Sequence, residues 1–343
     1  MHAPLHRCVG HLGAPFLMAL LLVLFASCAT QEGTSPTDTA GSNRESEGPV
    51  PLDEFGQPLP EPELLPGESH RDSTRRLLQL EHALDAWYGA SERQEYARKE
   101  SFELLLHDYG NKHFEAILGD LRGGNLRRGR VAAAALGFTD RPEAVKPLER
   151  ALASGEPQVV EHALLSLYHL GIRNPADNDK TKDFPRVDPA LLAPFLSNSQ
   201  PTIRSNAALA LRPNLLPSGP TSSDVLLALI SACADQDDRV RVHALAALGA
   251  TRDPEAIPHL VRGLSDPRPL ARMRAAVGLG HTGNRQVAPY LVEVLRRENE
   301  AEEVRQVCVR SLAFLFQTDL SSKNAADWEP HLATLEGRSG STR

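Results

Sequence analysis

The chain has 343 residues, enough for one large domain or two ordinary ones, with a formal net charge of −7 and 5% aromatic residues. Its abundant Ala and Leu suit closely packed helices and argue against a β-sandwich, which draws on Val, Ile, Thr and Tyr. There is no long basic block, so nothing in the sequence supports binding to nucleic acid.

Residues 1–13 carry His2, His6 and Arg7 and no acid, and an apolar run follows from Ala14 to Ala26. That run is short for a membrane span and matches the hydrophobic region of a signal peptide, predicted here over residues 1–27. Phe25-Ala26-Ser27-Cys28 resembles the lipobox of bacterial lipoproteins, departing from it at Phe25, where the family usually has Leu. The resemblance implies that Cys28 is acylated and becomes the mature N-terminus, so that the lipid holds the protein at a membrane. Ala29 in the next position implies the outer membrane of the cell envelope. The alternative is ordinary secretion of a soluble protein, with cleavage among the small residues Ser27 and Ala29. Residues 28–70 are dominated by Pro, Gly, Ser, Thr and Glu and cannot bury enough surface to offset their ordering entropy; they read as a tether.

Residues 73–89 predict one amphipathic helix, with Ser73 as its N-cap and Leu77, Leu78, Leu80, Leu84 and Trp87 as its apolar members. It is expected to close the N-terminal end of a stack.

Beyond it the chain repeats itself. VRVHALAALG (240–249) and ARMRAAVGLG (271–280) lie 31 residues apart, as do RGRVAAAALG (128–137) and VVEHALLSLY (159–168). IRSNAALALR (203–212), VRQVCVRSLA (304–313) and the weaker ARKESFELLL (97–106) bring the number of copies to seven. In this ten-residue register the fifth column is small, from Ser101 and Ala132 to Cys308. The ninth is Leu, from Leu105 to Leu312. Positions four apart share a helix face, so the two columns form one packing seam. A break follows each copy and then a second apolar helix, as in DPEAIPHLVRGLSD, where Asp253-Pro254 reads as a cap with Pro early in the helix; Asp140-Arg141-Pro142 reads the same way. One such pair cannot bury its own apolar faces, but a stack of pairs can.

These residues resemble HEAT repeats, of the short type also found in phycobilin lyases and deoxyhypusine hydroxylase. The agreement is best over 237–265 and 266–297, and it covers roughly 92–335. The resemblance implies an all-α protein: an α-solenoid of about seven helix-turn-helix repeats over residues 71–336, ended by Trp328 and Leu332 and followed by a fraying tail at 337–343. The architecture hosts many functions, so it implies a scaffold for a protein partner without naming one.

Catalytic chemistry finds no foothold. Resemblance to the hydroxylase would require His-Glu pairs on several repeats to hold two irons, and the chain has only the reverse, Glu81-His82 and Glu161-His162, which read as surface residues. G-x-S-x-G and H-E-x-x-H do not occur. Asp177-Asn178-Asp179-Lys180-Thr181 opens like a calcium loop, yet Lys182 stands where the tight turn needs Gly. The loop reads as polar, with Asp188 capping the next helix. Cys233 and Cys308 lie in apolar helical patterns and are expected to be buried free thiols. No enzymatic activity, metal or cofactor is expected; the alternative is an enzyme or cofactor protein of the bilin-lyase or deoxyhypusine-hydroxylase kind.

Three surfaces are candidates for a partner. The second column is Arg in five copies, Arg98, Arg204, Arg241, Arg272 and Arg305, which reads either as a basic ladder or as a stack of arginines paired with turn acids such as Asp237, Asp238, Asp266 and Glu303. The second helices, expected to line the concave face, present Lys146, Glu149, Arg150, His259, Arg262, Glu293 and Arg296, a mixture suited to a protein. Finally, the spacing lengthens from 31 to 44 and 37 around residues 171–187 and 212–223, which are expected to project together beside a partner site.

Overall fold

The structure, a computed structural model, describes residues 69–93, 95–172, 185–215 and 221–339, all within one compact unit, Leu52–Arg343. Every regular element among these residues is a helix. Two helices, α1 (His70–Glu92) and α2 (Tyr96–Lys112), precede the stack. Six pairs follow: α3 (Phe114–Arg122) with α4 (Leu126–Leu136), α5 (Val145–Ala151) with α6 (Pro157–Ile172), and α7 (Pro189–Leu192, continued by a 3-10 turn over Ala193–Ser197) with α8 (Pro201–Asn214). The remaining pairs are α9 (Ser223–Ala232) with α10 (Asp238–Thr251), α11 (Ile257–Gly263) with α12 (Pro269–His281), and α13 (Ala288–Arg296) with α14 (Glu302–Phe316). The last helix, α15 (Glu329–Ser339), lies beyond a 3-10 turn that holds the fully buried Trp328.

The ten-residue motif forms α4, α6, α8, α10, α12 and α14, and each of these motif helices packs on the next. The fifth-column small residues from Ala132 to Cys308 and the ninth-column leucines from Leu136 to Leu312 are at most 2% exposed. The copy at 97–106 departs from the register: Ser101 is exposed and Leu105 is 44% exposed. The reason is that α2 packs chiefly on α1 and buries Leu106 and Gly110 instead. The stack therefore repeats in six units.

The tightest contact lies one step along the seam. The tenth column meets the eighth column of the next motif helix, as Gly137 against Ser166, Gly249 against Gly278 and Gly280 against Ser311. Where the eighth residue is Ser, its hydroxyl donates to a carbonyl of the helix before it, Ser166 to Ala133 at 2.6 Å and Ser311 to Ala276 at 2.9 Å. Backbones brought this close draw the motif layer together, whereas α11 and α13 pack chiefly on motif helices. A stack spaced more tightly in one layer bends toward that layer. This corrects the expected geometry: the second helices belong to the outer layer, not to a concave face.

The N-terminal end differs from expectation in two places. The helix begins at His70 with Ser69 as its cap, and Ser73 lies buried within it. Arg128 donates to the Ser73 hydroxyl at 2.8 Å and to Asp120 at 2.9 Å, while Arg76 reaches the same carboxylate at 3.1 Å. Arg128 occupies the first column, which is Val, Ile or Ala in the other five motif helices, so the buried Asp120 replaces an apolar contact with an ionic one. Leu78, expected in the apolar set, is 50% exposed, whereas Leu77, Leu80, Leu84 and Trp87 are buried.

Asp253 and Asp188 accept hydrogen bonds from Glu255 N and Ala190 N as helix caps. Asp140 does not cap; its carboxylate meets His107 Nε2 at 2.8 Å. Cys308 is buried and Cys233 half-buried, and burial pushes both thiols up to about 12. At the C-terminal end Leu332 is half-buried, and α15 runs to Ser339, through residues expected to fray. Cys28, the segments read from the sequence as signal peptide and tether up to residue 68, and the last four residues lie outside the described residues.

Candidate partner-binding face

From Arg204 onward the second-column arginines are spent inside the stack. Arg204 donates to both carboxylate oxygens of Asp235, at 2.7 and 2.9 Å, and to the carbonyls of Asn198 and Ser199. Arg241 does the same with Asp266 and the carbonyls of Asp235 and Gln236, and Arg272 with Glu300 and the carbonyls of Asp266 and Pro267. Each guanidinium thus ties its own turn to an acid at the equivalent turn of the next repeat. Its planar fork of donors suits both tasks at once. Arg305 donates to the carbonyls of Leu295 and Arg297, and the exposed Arg98 pairs with Glu95 beside α2.

The ladder is therefore a row of staples, and two of the expected partners do other work: Asp237 caps α10 and Asp238 pairs with Arg268. The hydrogen bond from Arg204 holds Asp235 below the usual carboxylate range. For Asp266 and Glu300 burial pushes upward, and the hydrogen bonds from Arg241 and Arg272, the backbone N–H groups of Arg268 and Ala301 and the nearby arginine charges together outweigh it.

The outer-layer candidates are exposed or half-exposed and largely paired with one another. Lys146 bonds Glu149 at 2.7 Å, Arg150 donates to the Lys146 carbonyl, and Arg296 bridges Glu293 and Glu329. Arg262 is exposed and His259 half-buried. Exposed pairs of this kind contribute little energy and mark no site by themselves.

The opposite face, that of the motif helices, is partly filled by the chain itself. Helix α1 lies across α4 and reaches α6, while its Arg76 meets Asp120 of α3. Glu81 accepts from Arg127 at 2.5 Å and from Arg130 at 2.7 Å. Trp87 sets its ring edge-on to Phe138 at 5.1 Å and to His169 at 5.7 Å. The Tyr88 hydroxyl meets His162 Nδ1 at 3.2 Å. Burial pushes Tyr88 up to about 12 and His162 down to about 4. Glu81, Asp85, Tyr88, Arg130 and His162 together line a pocket of about 210 Å³. The sequence reading left Glu81 and His162 on the surface as unrelated residues; the packing of α1 joins them.

Helix α1 contacts the third, fourth, seventh and eleventh columns of the motif. On α8 to α14 the third column stays buried at Ser205 and Val242, while the fourth, seventh and eleventh columns are partly or fully exposed at most positions. These three hold Asn206 and Leu209, His243 and Ala246, Arg274, Val277 and His281, then Arg310 and Phe314. Arg212, in the tenth column of α8, lies close enough to act on His243, Arg274 and His281. Burial first, and then Arg274, Arg212 and Arg239, bring His243 down to about 4. Burial and Arg212 likewise lower Arg274, whose Nε is enclosed without a hydrogen-bond partner. Among the described residues no acid forms an ion pair with Arg212, Arg274 or Arg310. Val277, His281, Arg310 and Phe314 border a groove of about 240 Å³ between α12 and α14, where Phe314 is 63% exposed. The sequence signal for this face was present in the columns that vary, which the search for constant columns passed over.

The two lengthened segments meet where they are described. Arg186 Nη1 donates to the Pro213 carbonyl at 2.6 Å, and Val187 N to Asn214 Oδ1 at 2.8 Å. Residues 173–184 and 216–220, including the calcium-like sequence from Asp177, lie outside the described residues.

The family model described as HEAT repeats matches residues 223–313, the span from α9 into α14. No curated protein matches the chain. Among solved structures, an engineered protein is similar with 19% identity and a TM-score of 0.45, over 59% of this chain and 98% of that one. The CpcE–CpcF complex of phycocyanin lyase from Nostoc sp. PCC7120 is similar with 19% identity and a TM-score of 0.37, over 84% and 98%. Human deoxyhypusine hydroxylase is similar with 17% identity and a TM-score of 0.34, over 71% and 98%. Residues 223–313 match HEAT repeats, and the described residues form an all-α repeat stack.

Proposed function

We propose that this protein is an adaptor of the bacterial cell envelope, anchored through a lipid on Cys28, that holds a protein partner on the motif-helix face of α8 to α14. The observation that carries the binding role is the contrast along that face. Its columns are closed by α1 on α4 and α6, and on α8 to α14 they hold partly exposed apolar side chains beside cations that have no acid partner among the described residues. Apolar surface rimmed by charge is the usual composition of a protein contact. The envelope location is supported by the apolar run before Cys28 and by the polar segment after it, which is long enough to act as a spacer.

Crosslinking in native cells followed by mass spectrometry tests both parts. The expected result is one recurrent protein crosslinked to α8–α14 and an acylated N-terminal peptide beginning at Cys28. Recovery of the chain with bound iron or pigment, and with no protein crosslink, overturns the adaptor reading in favour of an enzyme or cofactor protein. A soluble chain with an unmodified Cys28 overturns the anchor alone.

A further inference from the structure

We propose that the open face of α8 to α14 receives an acidic amphipathic helix of a partner protein, seated as α1 is seated on α4 and α6. This rests on the adaptor reading above and names the chemistry of the partner at the same site.

The internal helix supplies the pattern. On α1 a carboxylate, Glu81, is clamped by two arginines of a motif helix. About two turns later an aromatic ring, Trp87, lies on Phe138 in the eleventh column. On the open face Phe314 occupies that same eleventh column and has no ring on it; 63% of it faces solvent. Arg274 and Arg310, in the fourth column of α12 and the seventh of α14, are the cations an incoming carboxylate would meet on this face, displaced along their helices from the register of Arg127 and Arg130. Arg212 adds a third cation, and the row has no acid partner among the described residues.

The charge disfavours a basic segment, because Arg212 stands close enough to Arg274 to add to the lowering that burial causes there. The apolar side chains between the cations, Leu209, Ala246 and Val277, favour an amphipathic helix over a plain polyanion. A carboxylate on a partly desolvated guanidinium gains more than one in open water, so binding is expected to be selective as well as salt-sensitive.

The test uses the purified full-length chain and four labelled 18-residue peptides, read by fluorescence anisotropy. One is an amphipathic helix of Glu, Leu and a single Trp; the second has Lys for Glu; the third is a shuffled sequence of the first; the fourth has a central Pro. The first is expected to bind at least tenfold more tightly than the other three. Arg274→Glu and Arg212→Glu are each expected to weaken it at least tenfold and Phe314→Ala by a smaller factor, with helicity and melting unchanged. Equal binding of the shuffled peptide reduces the face to a polyanion site and overturns the proposal, as does binding that is indifferent to Arg212 and Arg274.

A peptide of this chain's residues 29–68 that binds more tightly makes its own acidic segment the occupant. Self-association abolished by Arg274→Glu makes it a second copy, and either result overturns a partner helix. Native-cell crosslinks to a protein that persist in the Arg212→Glu, Arg274→Glu double variant leave the adaptor reading standing and refute only this site.

Discussion

Gly249 and Gly278 face each other across α10 and α12 so closely that a Cβ on Gly249 would stand 2.5 Å from the Gly278 Cα. The obstacle is backbone, which cannot swing aside as a side chain can. A Cβ on Gly278 meets Leu260 Cδ2 at 2.9 Å and the Gly249 Cα at 3.0 Å, a milder conflict because the leucine can yield. Gly249→Ala is therefore expected to destabilise the stack by about 1–3 kcal/mol through overpacking, and Gly278→Ala by less. Urea denaturation of the two variants checks the order. Equal midpoints for both variants and the parent would show that the layers are less tightly joined than this contact requires.

The second-column arginines make a separate prediction about what they do not do. Arg241→Ala removes the bonds to Asp266 and to two turn carbonyls and is expected to cost on the order of 1.5–3 kcal/mol, since hydrogen bonds to charged groups are the stronger kind. Arg241→Lys should recover little, because one ammonium cannot span both partners. Partner capture by the folded variant should be unchanged. A loss of capture without a loss of stability would restore the ladder as a binding surface.

Acid should weaken the same staples. Asp235, Asp266 and Glu300 have folded values below those of the unfolded chain. Their contribution is fully present above the ordinary carboxylate range and is lost as pH falls through and below about 4. His243 acts in a higher window. Its folded value of about 4 lies below the ordinary 6.5. The unfolded chain therefore takes up the proton first, and stability falls as pH drops from 6.5 toward 4. His162 carries a similar shift, so His243→Gln is expected to lessen the decline in that upper window without abolishing it and to leave the carboxylate window alone, as read from denaturation midpoints across pH.

The buried Asp120 between Arg76 and Arg128 fastens α1 to the stack. Asp120→Asn leaves two guanidiniums in an enclosed site without a counter-charge, and breaking a buried pair costs about 3–5 kcal/mol. Because Arg128 stands at the N-terminal end of the motif layer, the loss is expected to be local. Hydrogen exchange should accelerate along α1, and the near-ultraviolet signal of Trp87 should fall, while protection of α10 and α12 persists. Uniform loss of protection through the whole stack would show that α1 is integral to the fold and not a docked element.

The sequence by itself determined the architecture, because the residues that stack a solenoid recur at fixed intervals: the small fifth column and the ninth-column Leu from Ala132 and Leu136 onward report the same seam six times. It also carried the caps Asp253 and Asp188, whose partners lie two residues away. What it did not carry was any relation across repeats. The acids that hold Arg204, Arg241 and Arg272 lie 25 to 31 residues downstream. Nearer acids of equal chemistry were available to the eye. The weak copy at 97–106 matched the pattern by letter, yet α1 takes the place of a neighbouring repeat and draws α2 out of register.

Only the tertiary structure decided which face is open. Facing depends on which layer is pulled together by contacts such as that of Gly249 with Gly278, and on where α1 comes to rest. Neither is a periodic property of the chain. The residues of the open face are the ones that differ from repeat to repeat, so the regularity that revealed the fold could not mark Arg212, Arg274 and Phe314.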